Sequence, residues 1–169
     1  PFEVRAFEFM TRACLEAVAS HRKIKIPLDA AALGAVLMEV EIPETGSSTL
    51  DDTCLAWLLE GETRHELLAP QYASTIPEMR ALWSLRENIT ESLAATGLVH
   101  KNDIAVPVAR LPMFVTELET LVSTGYQGYG HFLFGHLGDG NLHVNAVKPE
   151  WVDVVDFRRK CAEMDEAIF

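Results

Sequence analysis

The sequence predicts an α+β domain, with an antiparallel or mixed sheet and helices packed on it. Three observations carry that prediction. Segments with strand patterning are separated by segments with helical spacing. Near the C-terminal end, Asp139-Gly140 lies between Phe132-Leu133-Phe134 and Leu142, Val144 and Val147, the pattern of a hairpin. The chain's 169 residues, 49% of them hydrophobic, suffice for one domain with a real core.

Taken in order, apolar residues at Val4, Phe7, Met10, Cys14 and Val18 predict one helix over residues 3–20. Residues 21–29, with Lys, Arg and Pro27, read as a loop. Residues 35–42 are apolar, then alternating, and read as a strand that residues 43–48 break. Ser48 or Thr49 caps the next helix, which runs to Leu59. Asp51 and Asp52 sit in its first turn, where negative charge meets the positive helix end. Residues 61–74 are ambiguous, with a short strand expected at 65–68.

Ser74 or Thr75 caps a long helix with Pro77 and Glu78 in its first turn; it continues to Thr96, and Gly97 ends it. Residues 103–108 read as a strand bounded by Pro107. Residues 111–123 read as a helix with Pro112 at its start and Gly125 beyond its end. Residues 125–130 form a flexible approach to the hairpin, and Pro149 stops the second hairpin strand. Residues 150–169 are helical, with Trp151, Val154, Val155, Cys161, Met164 and Ile168 inward. Trp57, Trp83 and Trp151 read as core residues.

The hairpin organises the candidate chemistry. Asp tolerates and Gly freely adopts the positive φ of a two-residue turn. A turn at Asp139-Gly140 sets His136 opposite His143 and Phe134 opposite Asn145. Alternation then puts His136, His143 and Asn145 on one face, and Leu142, Val144 and Ala146 on the core face. Directly opposed residues have Cβ atoms about 4.5–5.5 Å apart, so two imidazoles there can grip one metal ion. The plain alternative is a hairpin tip with two solvated histidines. The glycines between 125 and 140 do not make a phosphate loop, because Asp139 puts a carboxylate there and a strand follows.

On the long helix, Met79, Leu82, Ile89 and Leu93 form the apolar stripe. Arg86 and Thr90, four apart, share a face. Arg86 lies on or beside the stripe and needs an anionic partner. That partner is either Glu41 or another internal carboxylate, or else a substrate carboxylate held by the guanidinium fork with Thr90 as a donor. The residues leave both open. Lys101 by itself reads as a solvated lysine, and His21, His65, His100 and His131 as surface or edge residues.

A net charge of -11 argues against nucleic-acid binding and against an anionic membrane surface. The longest apolar run, residues 30–38, is far short of a membrane span. Cys14, Cys54 and Cys161 are scattered and read as reduced thiols in a reducing compartment. With Pro1 first and a helical pattern running to Phe169, the chain reads as part of a longer protein.

The stretch Gly-His-Leu-Gly-Asp-Gly-Asn-Leu-His-Val-Asn, residues 135–145, closely resembles the signature of the FAD-linked D-2-hydroxy acid dehydrogenases. That family includes D-2-hydroxyglutarate dehydrogenases and the D-lactate dehydrogenases called actin-interacting-protein-like. Ala6-Phe7-Glu8-Phe9-Met10, residues 82–91 and residues 103–108 are similar to it as well, so the resemblance covers nearly the whole chain.

The resemblance implies that residues 1–169 are a truncated substrate- and metal-binding domain with a ferredoxin-like sheet-and-helix layer. An N-terminal FAD-binding domain and the C-terminal end are absent from it. FAD is held mainly by the missing domain, and His136 and His143 match the family's zinc ligands, for Zn²⁺ or a similar divalent metal. Arg86, Thr90 and Lys101 match residues that hold substrate carboxylates, and Asn145 a substrate-contacting Asn. The activity implied is hydride transfer from a D-2-hydroxy acid to flavin. A Glu-His pair, supplying a third ligand and the base, falls beyond Phe169 in the family, so no catalytic base is expected in this chain and the isolated piece is expected to be inactive.

Two cations, Arg86 and Lys101, favour D-2-hydroxyglutarate over D-lactate. The expected partners are a small 2-hydroxy acid, an unidentified electron acceptor and a possible second copy; the expected location is mitochondrial, with the cytoplasm as the other choice. Two rival functions stand beside this one. One is a non-catalytic, actin-binding-like interaction module on the same fold. The other is a zinc hydrolase, which needs three protein ligands where two are visible.

Overall fold

The computed structural model describes residues 3–41 and 47–169, with side chains for all of these but 47–50. The elements are β1 (Glu3–Thr11), α1 (Arg12–Arg22), β2 (Gly34–Glu41), α2 (Ser47–Thr63), α3 (Ile76–Glu87), α4 (Ile89–Thr96), β3 (Val99–Ala105), α5 (Leu111–Gly125), β4 (Gly130–His136), β5 (Asn141–Val147) and α6 (Val154–Ile168). The sheet runs β2-β1-β4-β5-β3, and each pairing is antiparallel. The α+β expectation holds, and the sheet is antiparallel rather than mixed. Ile42, the break at 43–46 and the side-chain caps expected at Ser48 or Thr49 lie outside what is described.

Helices cover both faces. On one, α1, α3 and α4 bury Cys14, Leu15, Val18, Leu85, Ile89 and Leu93 against Met10, Phe134 and Val147 of the sheet. On the other, α5 packs Leu111 and Leu118 on Leu133, Leu142 and Val144, and α6 packs Phe157, Cys161 and Met164 on Ala146. Each of the Leu, Ile, Val, Met and Phe side chains among these, fully buried, contributes about 1.5–3 kcal/mol. The three cysteines are free and buried, and burial pushes the thiols of Cys14 and Cys161 up to about 11.

The helix expected over residues 3–20 is instead a strand followed by a helix. Glu8 and Met10 are buried and alternate with the less buried Phe7 and Phe9. A carboxylate at an inward position imitates the polar side of a helix, which hides the strand period. No strand forms at 65–68; the chain turns there, with His65 and Ala69 at φ 59 and 48.

The long helix begins with a capping box. Glu78 N donates to Thr75 Oγ1 at 3.4 Å, and Thr75 N donates to Glu78 Oε2 at 3.0 Å. It does not run unbroken to Thr96. Asn88, at φ -84 and ψ 0, separates α3 from α4, and its amide donates to Ser84 O at 2.6 Å. An Asn side chain that takes a helix carbonyl competes with the backbone ladder.

β3 starts earlier than residue 103, because Val99 pairs with Val147 across the sheet. Lys101 therefore lies inside a strand and not before one. α6 starts at Val154, capped by Asp153, whose carboxylate accepts from Val155 N and Asp156 N. Trp151, Val154 and Val155 are exposed rather than inward. Trp57 is exposed too, and Trp83 Nε1 donates to Glu39 at 2.7 Å, so these tryptophans are not core residues.

Candidate functional site

The hairpin tip differs from a two-residue turn. Four residues, 137–140, make the turn, and Gly140 N donates to His136 O at 3.0 Å. Asp139 works through its side chain, which accepts from Asn141 N at 2.9 Å. Gly140 has φ 78, and a Cβ there would collide with the carbonyl oxygen of Val106. That close approach lets Val106 N donate to Gly140 O at 2.9 Å, tying the tip to the end of β3.

The register shifts accordingly. His136 faces Asn141, Phe134 faces His143 and Phe132 faces Asn145. The shift is by two residues, and the side-chain period is also two, so every face assignment survives. His136 and His143 become diagonal neighbours, with ring centres 5.9 Å apart.

The flanking strands complete this face. β3 places Lys101 opposite Asn145 and Asp103 opposite His143. β1 places Glu8 opposite His136. A cavity of about 240 Å³ opens over them. Arg86 and Thr90 line it from the two sides of the Asn88 break, Lys101 and Asp103 from β3, and Phe134, His143 and Asn145 from the hairpin. Five of the six residues singled out in the sequence thus share one wall. His136 is not in that wall but stands beside His143.

Arg86 and Glu8 are nearly buried, with side chains 12% and 6% exposed. Arg86 Nε donates to Glu8 Oε2 at 2.8 Å, and its guanidinium lies over the Phe134 ring, 4.8 Å from the centroid. Glu41 is not the partner; it pairs with Arg5. Among the described residues, the two terminal nitrogens of Arg86 make no hydrogen bond. The Lys101 ammonium has no ion pair there, and the buried Asn145 amide and the Thr90 hydroxyl make no hydrogen bond. The cavity therefore presents unspent donors and two cations to whatever enters it.

Both histidines are oriented by carboxylates. His136 Nδ1 lies 2.6 Å from Glu8 Oε1, and His143 Nδ1 bonds the Asp103 carboxylate. An ionised carboxylate only accepts, so each Nδ1 carries a proton, and in the neutral ring it is Nε2 that keeps the lone pair. That is the tautomer a metal-binding histidine needs. Two imidazoles bound tetrahedrally through bonds of about 2.0–2.1 Å put their ring centres roughly 5 Å apart, so the 5.9 Å spacing requires closure of about 1 Å. The pair fits part of a divalent-metal ligand set. Among the described residues no group of three or more His, Cys, Asp or Glu side chains is placed to hold an ion.

Glu8 and Asp103 are the two residues of this face that the sequence reading missed. The signal for Glu8 was a lone carboxylate inside Ala6-Phe7-Glu8-Phe9-Met10. For Asp103 it was the spacing of two from Lys101 on one strand. Of the other histidines, His21 and His65 are exposed and His100 lies on the edge strand β3, as expected, whereas His131 is half-buried in β4, inside the sheet. His100 Nε2 meets both Asp165 oxygens at 2.8 and 3.1 Å, and Asn102 Nδ2 donates to Asp165 Oδ1 at 2.7 Å. His21 Nδ1 lies 3.2 Å from Ser92 Oγ. His131 sits between Tyr126 and Tyr129 with a buried Nε2, and burial pushes its pKa down.

The family profile of the C-terminal domain of FAD-linked oxidases matches residues 2–156. D-2-hydroxyglutarate dehydrogenase of Stutzerimonas stutzeri (strain A1501) is 30% identical over 174 residues, covering 99% of this chain and 35% of the relative. The mitochondrial D-2-hydroxyglutarate dehydrogenase of Rattus norvegicus is 37% identical over 142 residues, covering 83% of this chain and 25% of the relative. That of Danio rerio is 32% identical over 147 residues, covering 85% and 26%. The chain thus spans about a third or less of the length of these relatives.

Proposed function

This chain belongs to the family of C-terminal domains of FAD-linked oxidases, and on that footing we propose that it is the substrate- and metal-binding domain of an FAD-dependent D-2-hydroxy acid dehydrogenase. D-2-hydroxyglutarate is the favoured substrate and D-lactate the next. The observation that carries this reading is the cavity in which the free end of Arg86 and the unpaired Lys101 meet Asn145 and His143. Two cations suit two carboxylates, and D-lactate has only one to offer. The relatives named D-2-hydroxyglutarate dehydrogenase support the same choice. The mitochondrial location rests on the names of eukaryotic relatives alone. Among the described residues no helix is long and apolar enough to cross a membrane.

In this reading the terminal nitrogens of Arg86 take one substrate carboxylate as a fork, with Thr90 as a further donor. Glu8 holds the guanidinium by its Nε, so little ordering remains to be done on binding. Lys101, opposite Asn145 on the neighbouring strand, takes the second carboxylate. The Asn145 amide, buried and unbonded, addresses the substrate oxygen between them. The Nε2 atoms of His136 and His143 would hold a divalent metal. When bound, flavin would supply the hydride acceptor and a metal held by the histidines a Lewis acid for the 2-hydroxyl. No cavity residue is assigned as the base that takes the hydroxyl proton.

The test is dye-coupled reduction by the full-length, flavin-loaded protein. Activity with D-2-hydroxyglutarate above that with D-lactate, lost on chelation and restored by zinc, is the expected result. A protein shown to carry FAD that oxidises neither acid would sink the reading. The interaction-module alternative predicts that result, whereas a zinc hydrolase needs a third protein ligand beside His136 and His143.

A further inference from the structure

Glu8 spends its two oxygens on two different parts of the site. Oε2 accepts from Arg86 Nε at 2.8 Å, and Oε1 accepts from His136 Nδ1 at 2.6 Å. The side chain is 6% exposed, so water does not substitute for either partner. β1 delivers it directly opposite His136, and α3 delivers Arg86 from above the sheet. Resting on the substrate-and-metal reading above, we infer that Glu8 is a positioning residue that couples the anion fork to the metal-binding histidine. One oxygen aims the Arg86 guanidinium; the other holds His136 in the tautomer whose Nε2 is open.

The chemistry of the two partners makes this demanding. Arg Nε only donates, and His136 Nδ1 has to donate if its Nε2 is to bind a metal. Position 8 must therefore accept twice, which a carboxylate does and an amide does not. In Glu8→Gln the amide oxygen faces Arg86, because an NH2 group there would set two buried donors against each other. The NH2 then faces His136 Nδ1, which must accept, and the ring proton moves to Nε2. The fork is kept and the metal ligand is closed. Glu8→Ala removes both supports. Asp103 is the contrast: it orients only His143, and its side chain is 74% exposed, so water can take its place.

The experiment uses the full-length, flavin-loaded protein. Zinc affinity is read by chelator competition, and binding of glutarate, an unreactive dicarboxylate, is read on the zinc-free form. Glu8→Gln should lower zinc affinity about 10–100-fold and leave glutarate binding nearly unchanged. Glu8→Ala should weaken both. A purely structural role predicts that zinc and glutarate binding fall together in both variants, or that neither falls, and either result overturns the inference. Because a variant at a buried site can fail to fold, ¹⁵N spectra of histidine-labelled, zinc-free wild-type protein supply a second reading. His136 protonated on Nδ1 supports the inference, and His136 protonated on Nε2 overturns it. Wild-type protein that takes up no zinc overturns the underlying reading and this inference with it.

Discussion

Two faces of one sheet use the same residue pair in opposite ways. On the cavity face, His136 and His143 each give Nδ1 to a carboxylate and leave Nε2 open. On the other face, His100 gives Nε2 to Asp165, and Asn102 closes the same carboxylate. His100 and Asn102 alternate with Lys101 and Asp103 along β3, so four consecutive residues serve the two faces in turn. The first arrangement has donors and lone pairs left over; the second ties β3 to α6. A histidine–carboxylate contact is thus a site or a strut according to which ring nitrogen it spends and whether a cavity faces the other. The strut also steadies the strand that carries Lys101 and Asp103.

The comparison can be broken most decisively at the cavity face. Replacing both His136 and His143 by Ala should abolish zinc uptake and dehydrogenase activity; zinc retained at the wild-type level in that double variant would contradict the assignment. Next, Lys101→Ala should raise KM for D-2-hydroxyglutarate about 10–100-fold, the worth of one charged hydrogen bond, and leave D-lactate nearly untouched. Equal losses for the two acids would remove Lys101 from substrate selection.

A pair of isosteric changes separates site from strut. Asp103→Asn should weaken zinc binding only a few-fold, because an exposed amide oxygen still accepts from His143 Nδ1 but holds it less firmly than a carboxylate does. Asp165→Asn should leave zinc affinity in place and cost about 1 kcal/mol of stability in a denaturant melt. The reverse pattern would exchange the roles of the two faces.

The smallest effect concerns His131, a third kind of histidine that is buried among aromatics. Burial holds its folded-state pKa below the ordinary 6.5. On acidification the unfolded chain takes the proton first, so this contribution to stability is full above 6.5 and is lost as pH falls below it. His131→Phe should flatten that part of the pH–stability curve, and an unchanged curve would show that the ring titrates freely.

Much of the site was legible because its periodicities tolerate error. The hairpin register was off by two, which moves partners but not faces. Arg86 and Thr90 still line one cavity although Asn88 interrupts their helix. What stayed hidden depends on distant partners. Glu8 defeats the local strand pattern because its inward position is satisfied by Arg86 and His136, 78 and 128 residues away. Lys101 belongs to a strand that is defined by pairing with β5, and nothing within residues 97–102 announces that pairing. Trp151 reads as inward because α6 starts later than the apolar pattern does, and Val155 lies away from the face that buries Phe157, Cys161 and Met164.

The most direct test of the central claim is a crystal of the full-length protein soaked with zinc and D-2-hydroxyglutarate, with anomalous data collected at the zinc edge. A single anomalous peak bonded to Nε2 of His136 and His143, with one substrate carboxylate on Arg86 and the other on Lys101, is the predicted result. Zinc bound elsewhere, or substrate seated with neither cation, would contradict the account.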